Sequence, residues 1–402
     1  MIPCTVSANF GVMNVKRKRV FAWLLFVILL IANFLSYYFK SESHSILLGS
    51  EDLKKPIIIG LVDSLTGSEA TFGIETANGL RLAFDEINHN GGIHGRPIQL
   101  VTVDDQGKPE ESATGAKRLI TIEHALAILG TSSSQRTLVI APMAQSFGVP
   151  LIVPGATHPS ITRIGDHVFR VCFIDDFQGE FMAKIAVDNL KAKRIAVLTD
   201  VKSDYSVGLT DWFEKSAKTK GAQIVVQQSY TAGDLDYRSQ LTSIRAHHPD
   251  ILYVPGYYTD VGLIIRQARD LKIGVPILGG DGWDSPRLIE IAGKGIGSVF
   301  FSNHFVSSGN TSKVVSSFVY RYQKLYNRLP GSAAGLAYDS ALVLLDAMSR
   351  ASPLDRSTLN ESLKTVNNID GVTGKISIGP DRNAVKEAIV VSVRNGEFVR
   401  AW

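Results

Sequence analysis

Cysteine is nearly absent from this chain: Cys4 and Cys172 are the only two among 402 residues. They flank an apolar run on opposite sides, so both read as free thiols, Cys172 buried in a strand, and no disulfide framework or Cys-x-x-Cys pattern is available. No cysteine stands just beyond the apolar run, where a lipoprotein would carry one, which argues against a lipoprotein. Enzyme signatures are missing as well. There is no Gly-x-Ser-x-Gly elbow, no Gly-x-x-x-x-Gly-Lys-Ser/Thr loop, no His-Glu-x-x-His, and no Gly-x-Gly-x-x-Gly after the first strand. Catalysis, a metal and a dinucleotide cofactor are therefore not expected. The pair His247-His248 ends a helix before Pro249, a position where imidazoles satisfy helix carbonyls. The body also lacks an excess of charge. Seven basic side chains (Lys16, Arg17, Lys18, Arg19, Lys40, Lys54, Lys55) and three acidic ones (Glu42, Glu51, Asp52) precede residue 56, so the remaining acids and bases are equal in number. A neutral body has no electrostatic footprint for nucleic acid.

What is present begins with Lys16-Arg17-Lys18-Arg19, followed by an apolar stretch from Val20 to Phe39 broken only by Asn33 and Ser36. A basic cluster ahead of about twenty apolar residues is a signal anchor or a signal peptide, with the cluster held in the cytoplasm. No clean small-x-small cleavage site follows, which favours the anchor. Residues 1–19 then form a basic cytoplasmic segment, 20–39 the membrane segment, and 40–55 a Ser-rich tether. The body from residue 56 is expected outside the cytoplasm.

Short continuous apolar runs alternate there with helix-period segments, the pattern of buried parallel strands in an α/β domain. Strands are expected at Ile57 to Val62, Ile98 to Val103, Ala125 to Leu129, Leu151 to Val153 and Val168 to Phe173. A second series follows at Arg194 to Leu198, Gln223 to Gln228, Ile251 to Val254 and Ile277 to Leu278. Among the intervening helices, Ile74 to His89 carries Leu80, Ala83, Phe84 and Ile87 on one face. Past Phe300 come two amphipathic helices, Lys313 to Asn327 and Ala333 to Ser349, then short strands near Lys375 to Ile378 and Ala388 to Val393. These are too few for a third domain, so the chain is expected to recross and complete two lobes: 56–175 with 305–385, and 176–304 with 386–402. Several crossovers make a hinge, with ligand between two doubly wound parallel-sheet lobes.

Five apolar runs stop in residues able to touch a ligand. Ser132, Ser133 and Ser134 precede a helix, where hydroxyls and free N–H groups favour an anion or simply cap the helix. Gly155-Ala156-Thr157 offers close backbone approach and a hydroxyl, or an ordinary turn. Asp281, between glycines, is the candidate cation partner. Phe72, Tyr205, Tyr257, Tyr258 and Trp283 lie in strand-end loops and could wall a small-molecule cleft.

With these residues in place, the body from about Pro56 onward resembles the type I periplasmic binding proteins, specifically the leucine/isoleucine/valine-binding family of ABC transporters. The resemblance rests on an ordered set: Ile59-Gly60-Leu61 with Leu65-Thr66-Gly67, the stretch Ala83 to Arg96, Asp104-Asp105, and Val149-Pro150 with Pro154-Gly155-Ala156-Thr157. Asp204-Tyr205-Ser206-Val207-Gly208 and Gly279-Gly280-Asp281-Gly282-Trp283 complete it. It implies that Ser134 and Thr157 hold an α-carboxylate. The α-ammonium falls to the Gly155 carbonyl, the Thr157 hydroxyl and Asp281, the last standing where leucine-type binders carry glutamate. Tyr205 and Tyr257 close over the ligand, and Phe72 lines its side-chain pocket. The implied function is capture of a branched-chain or other apolar amino acid by lobe closure, for delivery to ABC permease subunits. An amino-acid or amide sensor that signals through a partner is the alternative.

Overall fold

The computed structural model describes residues 55–308 and 312–402, together with Ile31. The expectations for the basic segment, the apolar run, the tether and Cys4 fall outside those residues. Among the described residues no helix is long and apolar enough to cross a membrane. The chain divides into two compact units, Met1–Lys55 and Pro56–Trp402, and the second holds the sheets.

Apolar runs too short for helices become strands buried on both faces. β1 (Ile57–Asp63), β2 (Ile98–Asp104), β3 (Ala127–Gly130), β4 (Leu151–Val153) and β5 (Val168–Arg170) form an all-parallel sheet in the order β2-β1-β3-β4-β5. The next five, β6 (Arg194–Asp200), β7 (Gln223–Tyr230), β8 (Ile251–Tyr253), β9 (Ile277–Gly279) and β10 (Val299–Asn303), are parallel to one another. β11 (Ile369–Gly371) and β12 (Gly374–Ile376) make a separate antiparallel pair. β13 (Ile389–Arg394) and β14 (Glu397–Arg400) add antiparallel strands beyond β10, giving the order β14-β13-β10-β9-β8-β6-β7. Strand order reverses between β1 and β3 and again between β6 and β8. Crevices at such switch points receive ligands in this class of sheet.

The chain crosses from the first sheet to the second after β5 and returns after β10. Helices Lys313–Tyr326, Ser332–Arg350 and Arg356–Leu363 then bury Phe318, Tyr322, Leu344 and Leu359 in the core that holds Ile59 and Leu80. It crosses a third time to reach β13. The β10 strand and the helices Pro286–Ala292 and Arg356–Leu363 are absent from the sequence reading. Each is short, and Val299–Asn303 has too few residues to show a period. The helix expected from Ile74 starts a turn earlier, at Ala70, which places Phe72 on a rigid element.

Helix Ala70–His89 packs tightly against Ser332–Arg350. A Cβ on Gly79 would sit 2.3 Å from the Ala334 carbonyl oxygen, so only glycine permits this approach. At the N-terminus of Ser332–Arg350 two buried carboxyls converge from different parts of the chain. Asp284 accepts the Ser332 N–H at 2.6 Å. Glu75 bonds the Gly331 and Ala334 backbone, and burial together with Asp284 pushes its carboxyl from the ordinary 4.5 up to about 8. The folded protein therefore keeps this proton in a range where the unfolded chain has released it. The sign follows: this group's contribution to stability falls as pH rises from about 4.5 to about 8.

Replacing Glu75 by Gln removes that loss. In urea unfolding of the full-length protein, the stability of Glu75→Gln relative to wild type should be greater at pH 8 than at pH 5.5 by more than about 1 kcal/mol. A difference independent of pH would contradict the assignment.

Candidate functional site

The loops beyond the strand carboxyl ends surround one gap with about 460 Å³ of empty space, its open mouth included. The half built on the five-stranded sheet contributes Phe72 and Thr76 from helix Ala70–His89, Ser132 and Ser134 after β3, and Pro154, Gly155 and Thr157 after β4. The other half supplies Tyr205, Tyr257, Asp281 and Gly282. Ser332, Ala333 and Leu336, at the start of helix Ser332–Arg350, form the remaining wall.

One end of the gap presents hydroxyls and a helix N-terminus. Ser134 opens helix Ser134–Ser146, whose first N–H groups have no partner within the helix, and Ser133 makes no side-chain cap. The Ser134 hydroxyl oxygen accepts the His158 N–H at 3.2 Å, tying this loop to the turn after β4. Thr157 bonds the Asp175 carboxyl, which burial pushes up to about 8 with Asp281 adding to the rise and the Thr157 bond opposing it. The Ala156 carbonyl accepts from Arg170 Nη1 at 3.3 Å and faces away from the gap, so Ala156 shapes the turn without lining it.

A buried charge cluster fixes the loop itself. Arg136 lies 3.0 Å from Glu69, 3.1 Å from Asp105 and 3.7 Å from Asp63, with its side chain only 3% exposed. Those acids hold its guanidinium charged against the cost of burial. Asp63 in turn accepts both the backbone N–H and the hydroxyl of Ser132, at 3.2 and 2.6 Å. Three carboxylates around one arginine thus hold the serines in place.

The other end presents a carboxylate. Asp281 Oδ1 accepts the Tyr205 hydroxyl at 3.0 Å, and Oδ2 lies 3.5 Å from His304 Nε2. Its backbone N–H donates to Gln178 Oε1, which also accepts the Ser302 hydroxyl. Burial and the neighbouring Asp281 keep the Tyr205 phenol protonated, its pKa well above the ordinary value. Burial lowers His304, whose imidazole stacks on Phe173 at 3.6 Å and is neutral. Gly280 has to be glycine: a Cβ there would lie 2.3 Å from the Tyr205 hydroxyl and 2.6 Å from Gln178 Oε1.

Across the mouth the two halves touch. Thr259 Oγ1 donates to the Ser68 carbonyl at 2.8 Å, and the Thr71 N–H reaches the Tyr258 hydroxyl at 3.4 Å. Phe72 packs edge-on to Tyr257 and Tyr258 and belongs to the core cluster of the second half. Tyr257 stacks on Tyr205 with ring centroids 5.2 Å apart.

Eight residues singled out in sequence, Phe72, Ser132, Ser134, Gly155, Thr157, Tyr205, Tyr257 and Asp281, line one gap. Two expected walls do not. Trp283 is fully buried, its indole N–H donating to the Val254 carbonyl at 3.1 Å, and Tyr258 is buried behind Phe72. Both rings are buried in the apolar cluster of the second half and serve packing. Sequence reasoning missed Thr76, Arg136 and His304. Asp105 gave a trace of the charge cluster, but no local signal marks its arginine partner. Cys172 is buried, its thiol pushed up to about 12 by burial, an inert side chain.

Residues 56–397 match the periplasmic binding protein family. The Leu/Ile/Val-binding protein BraC3 of Rhizobium johnstonii is 32% identical over 80% of this chain and 87% of its own length. Among solved structures, a leucine binding protein from Thermotoga maritima shares 37% identity with a TM-score of 0.82, over 86% of this chain and 98% of that one. The branched-chain amino acid transporter substrate binding protein from Streptococcus pneumoniae, in complex with isoleucine, shares 33% identity with a TM-score of 0.81, over 86% of this chain and 99% of its own. A two-sheet α/β body, a gap at the strand carboxyl ends and these likenesses agree: the chain belongs to the periplasmic binding protein family, among the Leu/Ile/Val-binding proteins.

Proposed function

We propose that this protein is the extracytoplasmic substrate-binding component of an ABC transporter and captures an amino acid of the branched-chain size class between two closing lobes, 56–175 with 305–385 and 176–304 with 386–402. One observation carries the reading. The gap has hydroxyls and a helix N-terminus at one end and a carboxylate, Asp281, at the other, the two ends coming from different halves. An α-carboxylate fits Ser134 and Thr157; an α-ammonium fits Asp281 with the Gly155 carbonyl; Tyr205, Tyr257 and Phe72 enclose the rest.

A dipolar ligand buried there leaves several kcal/mol per ion unpaid unless both charges are met. Because the ligand's charges are met by groups from both halves, the ligand stabilises the closed form selectively, which is what capture requires. The binding protein needs no catalytic group, and permease subunits in the membrane are its partners in this reading. The basic cluster and the apolar run 20–39 anchor the protein to the inner membrane, keeping the receptor near its permease.

Calorimetric titration of the full-length protein with L-leucine should show Asp281→Ala weakening binding by about 100-fold or more, the cost of an unpaired buried charge. Tyr258→Phe, which removes only a long hydrogen bond, should cost less than about tenfold. Equal affinities for the two variants would take Asp281 out of the site. His304 is a positioning residue that acts through Asp281. His304→Phe should therefore weaken binding by about tenfold in the wild type and by almost nothing in an Asp281→Asn background. Equal losses in both backgrounds would make its role purely structural.

A further inference from the structure

The two charged poles account for Ser134, Thr157, Gly155 and Asp281. On the amino-acid reading above, this leaves Phe72, Thr76, Ser132, Ala333 and Leu336 to receive the ligand's side chain. That wall is not wholly apolar. Thr76 Oγ1 and Ser132 Oγ lie 3.2 Å apart, and both residues line the gap. The neighbouring Ser332 hydroxyl is already bonded to the Asp284 carboxyl.

What lies behind the pair sets the direction of its hydrogen bond. Asp63 Oδ2 is 2.6 Å from Ser132 Oγ, and Oδ1 accepts the N–H groups of Ser64 at 3.0 Å and Ser132 at 3.2 Å. Arg136 stands 3.7 Å away. Burial, with Asp105 beside it, raises the Asp63 carboxyl against the pull of Arg136 and the Ser132 bonds, but the two N–H groups donating to Oδ1 and the adjacent guanidinium are the surroundings of a carboxylate that accepts. An ionised carboxylate can only accept. Ser132 therefore gives its proton to Asp63, and Thr76 gives its own to Ser132. Thr76 Oγ1 is left with lone pairs and no proton to offer. In a closed gap such an oxygen goes unsatisfied against a hydrocarbon side chain and is satisfied by an O–H or N–H donor.

We propose that the site selects amino acids whose side chain carries a donor close to Cβ, L-threonine in preference to its isostere L-valine, with the ligand's β-hydroxyl donating into the Thr76–Ser132 pair. A purely apolar pocket shows the opposite bias, disfavouring the added hydroxyl by about 100-fold. Here the hydroxyl completes a chain that ends on Asp63.

Calorimetric titration of the full-length protein with L-threonine, L-valine and L-leucine tests this. Threonine should bind at least as tightly as valine, a ratio that needs no variant to fold. Thr76→Val replaces the acceptor by a methyl group of the same shape and should move the threonine-to-valine affinity ratio toward valine by about tenfold or more. Thr76→Ser, which keeps the hydroxyl, should leave the ratio near that of wild type. Valine binding with threonine about 100-fold weaker would overturn the inference while the amino-acid reading stands. An unchanged ratio in Thr76→Val would overturn it too. Failure of threonine, valine and leucine alike would remove the amino-acid reading and the inference with it.

Discussion

On the reading proposed above, Asp281 meets a cation in a closing gap, and such a carboxylate must be held in place before the cation arrives, because water will not be there to help. Asp281 is held in this way. A tyrosine hydroxyl sits on one oxygen, a neutral imidazole stands near the other, and a glutamine side chain fixes its backbone N–H. The close approach of Tyr205 and Gln178 is possible only because residue 280 has no side chain. The buried Tyr205 and the His304 of the stacked Phe173–His304 pair stand against this one carboxylate. Preorganisation of this kind lowers the cost of binding without adding contacts.

The opposite side uses the same physics with the sign reversed. Arg136, ringed by Glu69, Asp105 and Asp63, anchors the loop that carries Ser132 and Ser134. Such a cluster gives little net stability, since desolvation consumes most of the Coulomb gain. Its value is geometric: it fixes which way the hydroxyls of the loop point. Between the halves, Phe72 reaches from a helix of one into the apolar cluster of the other, while Glu75, one turn further along, meets Asp284 at the start of helix Ser332–Arg350. One helix therefore carries a wall of the gap, a contact across the mouth and a carboxyl at the junction.

Much of this is legible in the residues. Strands such as Leu151–Val153 and Ile251–Tyr253 stand out because both faces are buried and the run is apolar throughout. Strand-end loops then nominate Ser134, Thr157 and Asp281 without any structure, since parallel sheets place ligands there. The illegible part depends on contacts between distant segments. Arg136 looks like an ordinary helical arginine until Asp63 and Asp105 are brought to it, and His304 follows a five-residue strand too short to show a period. Trp283 misleads for the same reason: its place in a glycine-rich turn suggests a wall, but its indole folds back under Gly279, toward Val254. Thr76 lies on a helix that reads as core, so a wall residue there has no sequence signature.

The most direct test is a crystal structure of the protein with L-leucine. The amino acid should lie in the gap with its ammonium group within hydrogen-bond distance of Asp281 and its carboxylate against Ser134 and Thr157. An amino acid bound elsewhere, or bound in this gap with its carboxylate directed to the Asp281 end, would contradict the account.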